Sequence, residues 1–112
     1  MSTYFDQGPP SAISPVDSSN IDGLIDIIAE VETAAEDYDD RAESGTLTQA
    51  GADSLGRWLD DWVYQQHNGL SDSKPVPADE QDLGQKIDDA LSALERALHI
   101  IEHAYGTCER NS

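Results

Sequence analysis

Positive charge is the scarcest commodity in this chain of 112 residues: six Lys and Arg, only two of them lysine, stand against 23 Asp and Glu, for a net charge of −17. A field of that sign repels nucleic acid and anionic lipid, which excludes direct DNA binding and a membrane-surface role. It favours a positively charged partner, or reflects the solvation of a protein from a salt-tolerant source. Cysteine is nearly missing too. Cys108 stands alone, so no intramolecular disulfide can form, no cysteine cluster suggests structural zinc, and a reducing compartment fits. No apolar run approaches the roughly 20 residues needed to cross a bilayer. The opening "MSTYFDQGPPSAISPV" has neither a basic nor an apolar region of the secretory kind. These absences predict a soluble, cytoplasmic protein of one domain. Strand-like alternation, internal repeats and a Gly-rich phosphate loop are absent as well.

What is present is helical periodicity. Residues 1–17 hold Pro9, Pro10 and Pro15, which exclude a regular helix and predict a mobile arm, with Tyr4 and Phe5 as its apolar members. A first helix is expected after Ser19, which with Asp22 makes a variant capping box. Ile21, Leu24, Ile25, Ile28, Val31, Ala35, Tyr38 and Ala42 recur at three- and four-residue steps, and Gly45 offers a stop. Thr48 can cap a second helix whose buried stripe is Leu55, Trp58, Leu59, Trp62 and Val63, ending at Asn68-Gly69. A loop with Pro75 and Pro77 follows. Asp79 then caps a third helix over about residues 80–105, with Leu83, Ile87, Ala90, Leu91, Leu94, Leu98, Ile101 and Tyr105 as its main stripe. Ala93, Ala97, Ile100 and Ala104 widen that stripe to roughly half the circumference. The pattern predicts an all-α, three-helix domain over 18–107, with an arm at 1–17 and a tail at 108–112. Dimerisation through the C-terminal helix is expected from its surplus apolar arc.

Three stretches invite a chemical reading. His99-Ile100-Ile101-Glu102-His103 matches H-x-x-E-H, a zinc-peptidase signature in which two histidines bind the metal and the glutamate activates water. That chemistry needs a third ligand from a later helix, and only Glu109 is acidic after His103. "DYDDRAESGTLT" has the acids and glycine of a calcium loop, but Ala42 and Gly51 fall where side-chain ligands are required. Cys108 with His103 lies near a chain end without a formed pocket. These readings predict no enzyme, no cofactor and no bound metal.

Binding remains. The apolar arc on the third helix, bordered by Glu95, Arg96, His99, Glu102 and His103, has the make-up of an interface with a polar rim. Its candidate partner-binding residues are Ala93, Arg96, Ala97, Ile100, Glu102, His103 and Ala104.

The stretches "IDGLIDIIAEVETAAEDYDD" and "IDDALSALERALHIIEHAYG", in so short and acidic a chain, resemble the quorum-sensing antiactivators of Pseudomonas. The resemblance implies a small inhibitor that binds a LuxR-type transcriptional regulator such as LasR and covers its dimerisation surface, so that the regulator cannot bind its two-fold DNA site. A different class also fits the acidity: a DNA mimic or antidefence inhibitor whose carboxylates stand in for phosphates.

Overall fold

The structure, a computed structural model, describes residues 4–14, 16–73 and 78–111, and the side chains of these up to Glu109. Among them every regular element is helical. Helix α1 spans Ile21–Ser44. A middle helix follows without a break as α2 (Gln49–Trp58), a wider π turn (Leu59–Val63) and α3 (Tyr64–Asp72); the last helix is α4 (Gln81–Asn111). Short 3-10 turns occupy Tyr4–Asp6 and Ala78–Glu80. The three-helix, all-α architecture expected from the periodicity is what forms. No described helix is long and apolar enough to cross a membrane.

Local chemistry explains most of the boundaries. Gly45 ends α1 at φ 77°, a left-handed conformation that costs glycine little. The peptide N–H groups of Gly45 and Thr46 then satisfy the carbonyls of Ala42 and Arg41. Thr48 caps α2 as expected, its Oγ1 accepting from Gly51 N at 3.1 Å. The start of α1 differs from the capping-box expectation. Asp17 sets it, accepting from Ser19 N and Ser19 Oγ while its carbonyl takes the amides of Asn20 and Ile21.

Helices α1 and α4 run parallel in fixed register. Three side-chain bonds join them: Lys86 Nζ to Asp22 at 2.9 Å, Arg96 Nε to Glu32 at 3.4 Å and His103 Nδ1 to Asp39 at 2.7 Å. Each links residues 64 apart, and a constant offset requires two chains advancing in the same direction. Buried positions on α4 (Leu83, Ile87, Ala90, Leu94, Ala97, Ile101, Ala104, Cys108) step by four and three, and those on α1 (Ile21, Leu24, Ile28, Val31, Ala35, Tyr38, Ala42) do likewise. That is the spacing of a coiled-coil seam. The middle helix runs the other way, since Tyr64 reaches Glu102 while His67 reaches Glu95.

Four expectations need correction. The N-terminal arm is docked: Phe5 is 1% exposed and Val16 is buried. Its described part follows the middle helix, with Trp58 Nε1 donating to Gln7 O at 2.9 Å, Gln66 bonded to both Ile13 N and Ile13 O, and Val16 N donating to Ser73 Oγ. Gly69 does not stop the middle helix, which continues to Asp72. A Cβ there would lie 3.0 Å from Ile13 O, so the bare glycine is what lets the arm approach. Helix α4 outruns residue 105 and reaches Asn111, which places Cys108 on the core face rather than in a tail. Finally, Ala97 and Ala104, expected on an open arc, are both 0% exposed within the core. The predicted loop prolines Pro75 and Pro77, and Pro15 of the arm, lie outside the described residues.

Candidate functional site

The candidate residues on α4 part into three groups. Ala97 and Ala104 belong to the core, and no partner can touch them while the domain is closed. Ala93 and Ile100 are half-buried and pack against that core. Arg96, Glu102 and His103 are exposed, but each is directed by a neighbour. Arg96 and His103 turn toward α1, to Glu32 and Asp39. Glu102 turns toward α3, where Tyr64 Oη donates to it at 3.0 Å.

That divergence dissolves the H-x-x-E-H reading. A zinc-peptidase helix needs its two histidines and glutamate converging on one point. Here Glu102 and His103 serve opposite seams of the bundle. A shallow depression of about 580 Å³ lies between Tyr4 and the outer face of α1, lined by Ala29, Glu30, Thr33, Ala34 and Asp37. Its polar groups are the Glu30 and Asp37 carboxylates and the Thr33 and Tyr4 hydroxyls, with no histidine, lysine or cysteine in the lining.

The surface has another character. All 23 acids are described and none is buried. On α4, Asp88, Glu95, Glu102 and Glu109 stand at seven-residue steps, a row with about 10 Å between members at 1.5 Å rise per residue. Asp22, Glu36 and Glu43 on α1 are exposed and spaced by multiples of seven. Glu95 and Glu102 border the middle helix, whereas Asp22 and Glu43 border α4 at its Lys86 and His103 flank, so acids line both seams of α4. Several cations are committed within the bundle, with Arg41 on Asp37 at 2.8 Å, Lys86 on Asp22 and Arg96 on Glu32. Among the described residues Tyr64, 41% exposed, is the sole exposed large apolar side chain. The molecule measures 51 × 21 × 19 Å, so its net charge amounts to about one negative unit per 3 Å of length. Duplex DNA carries about one per 1.7 Å.

Three phenols are shifted by burial and by carboxylates beside them. Tyr38 is held above its ordinary pKa first by burial and then by the Asp6 carboxylate, to which its hydroxyl donates at 3.2 Å. Tyr64 is raised by burial and by its bond to Glu102. Tyr105 is raised chiefly by a bond to Glu109.

Compared with known proteins, the chain matches no protein-family model, no curated protein and no solved structure.

Proposed function

We propose that the protein is a small sequestering inhibitor that binds the basic, nucleic-acid-contacting surface of another protein and displaces nucleic acid from it. The function is one of binding, not catalysis. The observation that carries it is the surface: 23 acids, none of them buried, spread along a slender rod, with Tyr64 as the one exposed large apolar side chain among the described residues. Such a surface gains little from apolar contact. It gains much from a partner whose Lys and Arg are spaced to meet phosphates. The likeness to quorum-sensing antiactivators makes a LuxR-type regulator the first partner to test, met at its DNA-binding face. The reading in which α4 replaces a regulator subunit would rest on Ile100 and Ala93, because Ala97 and Ala104 are covered. A homodimer through α4 would draw on the same two residues.

The test is competition. A fluorescent operator duplex is bound to the isolated DNA-binding domain of a LuxR-type regulator, and the protein is titrated in. Release of the duplex is expected, with apparent affinity falling at least about tenfold between 0.05 and 0.2 M salt. Glu95→Gln with Glu102→Gln should weaken it further. Capture of the full regulator with an affinity indifferent to salt, and no action on its DNA-binding domain, would instead place the contact at the regulator's dimer seam.

A further inference from the structure

One group of side chains, made by the parallel register of α1 and α4, is arranged for a ligand of another kind. Asp39 and Glu43 are four residues apart on α1 and so share a face. His103 arrives beside them from α4, with its Nδ1 2.7 Å from Asp39 Oδ1. One ligand atom from each of the three lies within 4.8 Å of the others. We propose that Asp39, Glu43 and His103 bind a divalent transition ion, Zn²⁺ before others, and that the ion staples the end of α1 to α4.

The donor set argues for that class of ion. Zinc takes imidazole nitrogen and carboxylate oxygen at about 2.0–2.2 Å, which sets neighbouring ligand atoms a little over 3 Å apart. Glu43 and His103 are exposed and Asp39 is half-buried, so modest side-chain rotation closes the remaining gap without moving a helix. An imidazole beside two carboxylates suits Zn²⁺, Ni²⁺ or Co²⁺, whereas Mg²⁺ and Ca²⁺ prefer all-oxygen shells. A net charge of −17 raises the local concentration of any cation. The imidazole supplies the selectivity that acids alone would lack. His103 is thus a ligand in a cross-helix site, not in the motif that its neighbours spell. His99 has no part in it.

The full-length chain, freed of metal by chelation, is titrated with ZnCl₂ by calorimetry and followed by thermal unfolding. One Zn²⁺ per chain is expected, and at a hundredfold excess over the dissociation constant a rise in Tm on the order of 10 °C. His103→Ala, an exposed position, should keep the helical content and lose at least about tenfold in affinity. Asp39→Asn should act in the same direction, and His99→Ala should leave affinity unchanged. The proposal falls if His103→Ala binds Zn²⁺ as the parent does. It falls equally if His99→Ala and His103→Ala lose affinity alike, which would mean a simple i, i+4 histidine pair. Stabilisation by Mg²⁺ equal to that by Zn²⁺ would also overturn it, as screening of a crowded acidic surface.

Discussion

Between α1 and α4 the buried seam is rich in alanine, with Ala35 and Ala42 on one helix and Ala90, Ala97 and Ala104 on the other. Between α1 and the middle helix lie Tyr38, Trp58 and Phe5, ring against ring, with Phe5 edge-on to Tyr38 at 5.0 Å and to Trp58 at 5.2 Å. Small side chains let the first pair of helices pack directly and hold a register that three cross-helix bonds share. Large rings hold the second pair apart. The space between them is filled by a segment from outside either helix, the N-terminal strap. One seam is self-sufficient and the other is completed by a wedge.

The sharpest way to break this contrast is to remove the wedge. Phe5→Ala takes away a fully buried ring that touches both Tyr38 and Trp58, and the helices on either side cannot collapse onto each other without repacking those two rings. A loss of about 3–5 kcal/mol in urea unfolding is expected. A loss under about 1 kcal/mol would show that the strap is ornamental and that the aromatic seam closes by itself.

Overfilling is the corresponding attack on the other seam. Ala97 is fully buried where α1 and α4 approach, so Ala97→Leu must push the helices apart. About 1–3 kcal/mol of destabilisation is expected. The three cross-helix bonds should loosen together, visible as joint chemical-shift changes at Asp22, Glu32 and Asp39. Independent changes at these positions would argue against a rigid common register.

These two seams were not equally legible in the sequence. The periodicity of Ile21 through Ala42 and of Leu83 through Ile101 announces helices and their buried faces directly, because each signal lies within one element. The strap could not be read that way: three prolines mask a segment whose binding groups are backbone atoms at Gln7, Ile13 and Val16. Gln66, a fully buried amide on the core side of the middle helix, was the available clue, since a buried amide must find partners. The sequence shows the width of the α4 arc but not how many neighbours cover it, and a helix in a small three-helix domain usually buries a narrower strip. A helix packed against both α1 and the middle helix buries two flanks, which is why Ala97 and Ala104 are core. The grouping of Asp39 and Glu43 with His103 depends on a register that no stretch of sequence encodes locally.

Alkaline pH offers a gentler probe of the aromatic seam. Burial, then Asp6, raises the pKa of Tyr38 in the folded protein above the ordinary value of about 10. The protonated phenol is therefore favoured by folding. Its contribution is complete below about pH 10 and fades as pH rises from the unfolded toward the folded pKa, because only the unfolded chain then gives up the proton. Urea midpoints should fall between pH 9 and 11 in the parent and fall less in Tyr38→Phe. Equal slopes would mean that Tyr38 titrates as a free phenol and that the seam is open.

The smallest effect is expected at the ion pairs that mark the alanine seam. Arg96 and Glu32 meet at 3.4 Å with their side chains 62% and 26% exposed, so water screens much of their attraction. Arg96→Ala alone is a poor measure, since it also makes a chain of net charge −17 more negative and adds repulsion from every other acid. A double-mutant cycle with Glu32→Gln separates the pair from that background. The coupling should be under about 1 kcal/mol and shrink further in 0.5 M salt. Small apolar side chains would then hold the seam, with the charges only reporting its register. A coupling above about 2 kcal/mol that survived salt would reverse the order of causes. The acids along α1 would then serve the fold first, leaving fewer of them to meet a basic partner.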